Sequence, residues 1–292
     1  MDVSVGVCAY NEERNIARLL DAVLKQKVGR DRISEILVIS SGSTDRTESI
    51  VGEYAKKDGR IRLLIQKKKE GKASAINLFL REARGDLFIL LSADLIPSDT
   101  AFRFLCEPFE NPAVGLTTGR PVPDNNPDSF MGYTVRLVWE LHHRLQLRMP
   151  KANEMLAMKP LVERIDVDTA VDDLQIEALI KKRGYLVVYV PDAVVVNHGP
   201  ETVADLIRQR KRIMVGYLHT KESKDYYPIT MDKIQVLSAL LETISFRPKR
   251  FVWTFMAVIL EAYIRLGANI DYYVLKRNPY NWETSESTKK LG

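Results

Sequence analysis

Apolar residues fall into short runs that alternate with helical stripes over the first 120 positions. Runs rich in Val, Ile, Leu and Phe occupy 3–8, 35–39, 61–65 and 87–91, and each reads as a strand. The last is continuous, as expected for a strand covered on both faces. After the first run, Asn11 reads as an N-cap, and Ile16, Leu19, Leu20 and Val23 follow at i, i+3, i+4 and i+7. A second helix is predicted from a cap at Thr44 or Asp45 to about Lys57, and a third over 72–83, before the turn Arg84-Gly85-Asp86. Strand and helix repeating at this spacing predict an α/β fold with a mostly parallel sheet and right-handed crossovers.

Further along, the pattern predicts a strand at 114–120, a Pro/Asn/Asp loop at 121–127 and a long helix over 129–149. Another helix spans 170–182 and stops at Gly184, a C′ glycine. Two strands follow at 186–190 and 194–197. From Thr202 onward the pattern is helical, interrupted at Tyr227-Pro228 and Arg247-Pro248, and the last ten residues are polar and read as a frayed end. The boundary is drawn between an α/β domain at 1–225 and a helical C-terminal extension at 226–292.

The chain has 292 residues, 46% of them apolar and 28% charged, which excludes a disordered polymer. The two cysteines, Cys8 and Cys106, stand far apart, so neither a disulfide scaffold nor a structural zinc site is expected, and a reducing compartment fits. The start lacks the basic and long apolar stretches of a secretory signal. The apolar run at 251–260 is ten residues, short of the roughly 20 that span a bilayer. Net charge is +5, and residues 205–250 hold ten basic against five acidic side chains. That excess is either a solvated helix face or a surface for an anionic partner. The stretch lacks the interleaved aromatics of a single-strand platform, so no nucleic-acid partner is expected.

Ligands of open parallel sheets bind beyond the carboxyl ends of the strands. After the four runs come Ala9-Tyr10-Asn11-Glu12-Glu13, Ser40-Ser41-Gly42-Ser43-Thr44-Asp45, the lysine-rich 67–72 and Ser92-Ala93-Asp94. Ring, hydroxyls, lysines and carboxylates together suit a base, a ribose, a diphosphate and a metal. The segments VGVCAYNEERNI, LVISSGSTDRT, EGKASAIN, ILLSADLIP, VDDLQIEALIKKRGY and QRKRI, in this order over roughly 1–216, resemble family 2 glycosyltransferases of GT-A fold. No GxGxxG, P-loop or GxSxG elbow competes with that reading.

The resemblance implies roles by position. Ala9, Tyr10, Glu12 and Ser41 would hold the nucleoside, although Ser40 and Ser41 replace two aspartates common in the family. Lys72 would face the diphosphate. Ser92 replaces the first acid of the DxD motif and would contact the ribose, while Asp94 and His198 would hold Mg²⁺ or Mn²⁺. Asp173 would be the catalytic base, and Arg210 and Arg212 would complete the anion cradle. Ile213 stands where the family has a tryptophan, so processive synthesis is not inferred. Glu12, Asp172 and Asp173 also serve a helix dipole wherever they open a helix.

The implied activity is metal-assisted, inverting transfer of a sugar from a nucleotide-diphosphate donor to a hydroxyl acceptor on a glycan, a lipid carrier or a surface polysaccharide. Two alternatives stay open. One is a non-catalytic nucleotide-sugar binder on a degraded scaffold, and the other a nucleotidylyltransferase on a related sheet. The implied location is cytoplasmic, peripheral at the membrane face. The aromatic, basic-flanked C-terminal helices suit a membrane surface or a homodimer contact.

Overall fold

The computed structural model describes residues 1–277. The polar tail at 283–292 lies outside the described residues. The strands are β1 (Asp2–Ala9), β2 (Arg32–Ser41), β3 (Ile61–Gln66), β4 (Leu87–Ser92), β5 (Ile96–Pro97), β6 (Val114–Pro123), β7 (Met155–Met158) and β8 (Leu186–Asn197). The α-helices are α1 (Ile16–Leu24), α2 (Thr47–Lys57), α3 (Lys72–Glu82), α4 (Ala101–Cys106), α5 (Phe130–Arg148), α6 (Asp172–Lys182), α7 (Val203–Lys224), α8 (Lys233–Thr243) and α9 (Pro248–Asn269).

All eight strands form one sheet in the order β3-β2-β1-β4-β7-β6-β8-β5. The expected parallel block is β3-β2-β1-β4. β7 runs antiparallel between β4 and β6, and β5 antiparallel to β8, so the whole sheet is mixed. The two strands expected at 186–190 and 194–197 are one continuous β8, whose ladder with β6 is parallel on both sides of an irregularity at Thr118/Arg120.

Period-two alternation sorts the strand side chains into two cores. Val3, Val5 and Val7 of β1, Ile36 and Val38 of β2, and Leu87, Ile89 and Leu91 of β4 face one side, where α1 lays down Ile16, Leu19, Leu20 and Val23. Leu37, Ile39, Phe88 and Leu90 face the other, against Ile76 and Phe79 of α3 and Ile176 and Ile180 of α6. Gly6 makes the second contact possible, since a Cβ there would stand 2.6 Å from the Phe79 ring. Phe79 is fully buried, and truncating such a side chain costs about 3–5 kcal/mol.

The C-terminal helices pack back onto the α/β unit, α8 against α5 and α9 against α5 and α7. Their outer face is apolar and open. Ile234, Phe246 and Phe255 are 79%, 86% and 63% exposed. The helical stretch Pro248–Val274 is long and apolar enough to cross a membrane by length and composition. The ten-residue run seen in the sequence understated it, because Glu261 and Arg265 interrupt the run but point inward, paired with each other and with α7.

Candidate active site

The carboxyl ends of the four parallel strands share one edge of the sheet, and the loops that leave them are laced together. Asn11 sits in the left-handed region at φ 52°, and its Oδ1 accepts the Thr44 N–H at 2.8 Å. It clasps two loops and is not the cap predicted for it. Glu12 O already accepts the N–H groups of Asn15 and Ile16, so the chain turns once more before α1 begins, with Asn15 at the cap position.

Glu12 is buried, its N–H donates to Thr47 Oγ1 at 2.8 Å, and its Oε2 accepts from Asn15 Nδ2 at 2.8 Å. Ala9, also buried, pairs with Ser40 across the β1–β2 ladder. Tyr10 is half-buried, with the Lys69 ammonium 4.4 Å from its ring centre. Ser41 is buried, and its hydroxyl accepts the Glu70 N–H at 3.1 Å. Gly42, at φ +70°, permits this stitch, because a Cβ there would stand 2.5 Å from the Lys68 carbonyl carbon. The residues expected to hold a nucleoside therefore occupy one corner.

Beside that corner a cleft of about 180 Å³ opens between α5, α6 and α7. Its walls bring together Lys72, Glu154, Asp172, Asp173, His198 and Arg212. Lys72 opens α3, and its Nζ lies 2.9 Å from Asp172 Oδ2. Burial works against the ammonium, but the Asp172 carboxylate, helped by Cys8 and Asp173, outweighs it and raises its pKa. Asp173 faces the buried ammonium of Lys151. Arg212 is half-buried, and its Nε is sealed from water with no hydrogen-bond partner among the described residues. Burial lowers the pKa of this guanidinium despite the nearby Asp172.

Arg210 lines the cleft too, but both arms of its guanidinium bind Glu261 of α9 at 2.9 Å. Residues two apart on a helix point about 200° apart. The two arginines thus differ: Arg210 fastens α9 to α7, while Arg212 lines the cleft with its Nε enclosed and unpartnered among the described residues.

Two strand registers gather the remaining groups. β5 and β8 run antiparallel with Ile96 opposite Val196, which carries Asp94 toward His198. β4 and β7 run antiparallel with Leu91 opposite Met155, which carries Glu154 toward Ser92. Glu154 Oε2 accepts from Asn197 Nδ2 at 2.7 Å. Loss of water, then the Asp94 charge, pushes the Glu154 carboxyl up to about 7. Asn197 is buried, and its Oδ1 has no partner among the described residues. His198 places Nδ1 2.6 Å from Asp124 and Nε2 3.2 Å from Glu201, whose side chain is 52% exposed. Among the described residues no three His, Cys, Asp or Glu converge closely enough to cage an ion unaided.

Sequence reasoning missed Lys151, Glu154, Asn197 and the cleft-facing side of α5. The first two precede a strand of four residues, Met155–Met158, with no β-branched residue to announce it. An available signal was the apolar spacing of Val135, Val138, Trp139 and His142 within the predicted helix.

Comparison with known proteins fits this arrangement. Residues 4–159 match the model described as glycosyl transferase family 2, and residues 88–274 match glycosyl transferase family group 2. The chain belongs to glycosyl transferase family 2. It is 25% identical over 289 residues to the poly-beta-1,6-N-acetyl-D-glucosamine synthase of Staphylococcus epidermidis, covering 94% of this chain and 68% of that one. Against the Staphylococcus aureus synthase it is 27% identical over 223 residues, covering 72% of this chain and about half, 53%, of the relative's length. Among solved structures, the mannosyltransferase PcManGT from Pyrobaculum calidifontis, in complex with GDP-Man and Mn²⁺, superposes with a TM-score of 0.62 at 24% identity, covering 94% and 81% of the two chains. Staphylococcus aureus TarS superposes at 0.53 and 14% identity, over 93% and 55%. These likenesses show that this family 2 glycosyltransferase has the GT-A fold.

Proposed function

We propose that the cleft transfers a sugar from a nucleoside-diphosphate donor to a hydroxyl acceptor in one inverting displacement. The observation that supports this most is the convergence of Lys72, Arg212, Asp172 and Asp173 on the walls of one cleft. Two cationic side chains on one wall suit a diphosphate, whose oxygens accept from both. The nucleoside then extends toward Tyr10, Glu12 and Ser41, and its ribose toward Ser92. Lys72, now held by Asp172, exchanges that carboxylate for a phosphate oxygen.

Asp173 takes the proton of the acceptor hydroxyl as the oxygen attacks the anomeric carbon. The bond from that carbon to the phosphate oxygen breaks on the opposite face. Lys72 and Arg212 receive the negative charge that develops on the diphosphate.

A divalent cation fits beside them. Asp94, His198 and Glu154 would hold it, since the β5–β8 and β4–β7 registers carry them toward one another. With no cage of three such ligands, donor phosphates and waters must complete the shell, as Mg²⁺ and Mn²⁺ both allow. Bound there, the ion would neutralise the departing diphosphate.

We further propose that the acceptor is a glycan or lipid-linked sugar and that the enzyme lies on the cytoplasmic face of an anionic membrane. The relatives' names and the open apolar face of α8 and α9 support this. So do the exposed Arg247, Lys249 and Arg250 at its edge. Charges on the inner side of α9 fit a helix lying flat better than one that spans.

The test is a screen of UDP- and GDP-sugars with and without Mn²⁺. A donor at about 100 times its dissociation constant should stabilise the fold by roughly 2.7 kcal/mol. Asp173→Asn should keep that binding and lose transfer by about 10²–10⁴-fold. Absence of any Mn²⁺-dependent nucleotide binding contradicts the enzyme reading and leaves a degraded scaffold; unchanged turnover in Asp173→Asn removes that residue from the chemistry.

A further inference from the structure

The helix α5 presents Val135, Val138, Trp139 and His142 to the cleft, at i, i+3, i+4 and i+7. Such a stripe normally closes against a partner helix. Here the facing side of α7, with Leu206, Gln209 and Ile213, stands off and leaves the open space already described. Trp139 is half-buried in that wall. Its ring meets His142 edge-on, with centroids 5.2 Å apart and planes at 77°. Burial pushes the His142 imidazole down to about 3, so it is a neutral support at any working pH.

The cleft is therefore two-sided. One wall is carboxylate and cation: Lys72, Asp172, Asp173 and Arg212. The other, on α5, is mainly apolar, with Trp139 as its largest ring. A pyranose ring has matching sides, a C–H face and a rim of hydroxyls. A lipid chain would lay hydrocarbon against the charged wall of Lys72, Asp172, Asp173 and Arg212, and a nucleobase is accounted for at the Tyr10 corner.

Resting on the transferase reading above, we propose that Trp139 is the acceptor platform: the acceptor's terminal sugar ring stacks on its indole and thereby turns a hydroxyl toward Asp173. Trp139 is a positioning residue in this scheme. It fixes the ring plane and has no part in the proton transfer. The site takes a saccharide end in preference to a small alcohol.

Donor hydrolysis, in which water is the acceptor, needs no platform. It serves as the internal control. With Mn²⁺ and whichever UDP- or GDP-sugar binds, wild type, Trp139→Leu and Trp139→Phe are compared for hydrolysis and for transfer to linear tetrasaccharides of glucose, mannose and N-acetylglucosamine. Trp139→Leu should weaken saccharide KM by about tenfold or more while changing donor KM and hydrolysis several-fold less. Trp139→Phe should recover most of it. In a Trp253→Phe, Trp282→Phe background, the productive tetrasaccharide should perturb the fluorescence of the remaining Trp139.

Equal saccharide KM in Trp139→Leu overturns the inference. So does a parallel loss of hydrolysis, or hydrolysis in wild type that no tetrasaccharide diverts. Absence of both hydrolysis and transfer in wild type strikes the transferase reading instead.

Discussion

Lys151 Nζ lies 3.2 Å from Asp173 Oδ2. The lysine side chain is 5% exposed, donates also to Ala152 O at 2.6 Å, and stands over the Tyr217 ring. Burial alone would discharge such an ammonium. The Asp173 carboxylate, with Tyr217 and Glu177 behind it, more than compensates and raises its pKa. The candidate base thus has a fixed counter-charge, and its second oxygen accepts the Leu174 N–H at 2.9 Å.

Lys151→Met keeps the volume and removes the charge. Breaking a fully buried pair costs about 3–5 kcal/mol. Asp173 is 23% exposed, so roughly 1–3 kcal/mol is expected in urea denaturation. Transfer should fall with donor affinity kept, and Lys151→Arg should restore part of the stability. Stability equal to wild type would show that the pair is not a net contributor.

Glu154 couples the site to pH. Its ordinary value of 4.5 is raised to about 7 in the folded protein, first by loss of water and next by Asp94. The folded state therefore holds this proton more tightly than the unfolded chain. Its contribution to stability is full below about pH 4.5 and disappears as the pH climbs to about 7. The change is roughly 2–3 kcal/mol. Glu154→Gln should flatten the apo protein's stability across that interval, measured by denaturant titration at several pH values. It should also weaken Mn²⁺ binding in calorimetry; an unaltered pH profile would mean that Glu154 is ionised throughout.

Glu261 behaves oppositely. Burial resists its charge, but Arg210 and then Arg265 overcome that resistance and hold the carboxyl down at about 2. Its contribution is present above about pH 4.5 and is lost as the pH falls through about 2. Glu261→Gln leaves Arg210 half-paired against α9. The expected loss is about 2 kcal/mol, discounted for partial exposure. Hydrogen exchange should show α9 opening first, and uniform protection in the variant would contradict the tie.

The outer face of α8 and α9 predicts vesicle binding. Exposed Phe246, Phe251 and Phe255 supply apolar area, and Lys249 lies 4.5 Å above the Trp253 ring beside Arg247 and Arg250. Cosedimentation should be strong with vesicles containing phosphatidylglycerol, weak with phosphatidylcholine alone, and reduced by Phe251→Ser with Phe255→Ser. Salt should weaken it. Concentration-dependent dimerisation without vesicle binding would assign the same face to a second copy.

The parallel half of the fold was legible because β1, β2 and β4 are nearly continuous apolar runs, buried along almost their whole length. Asp94 follows the end of β4 and Asp173 lies in the first turn of α6, where the sequence pattern put them. Asn11 was misplaced because a cap and a left-handed loop clasp use the same amide chemistry. Lys151 and Glu154 were hidden because charged residues inside a short strand's approach look like solvent-facing loop until the tertiary fold encloses them. The different partners of Arg210 and Arg212 were partly readable, since helical geometry starts side chains two residues apart in divergent directions. What that geometry could not say was which of the two would face inward.

That division on α7 has a mechanical consequence. The helix grips the outer apolar helix with one arginine and offers the other to the pocket, so rolling the cylinder about its own axis moves both at once. A shift of α7 would therefore carry the anchor of α9 and a wall of the cleft together.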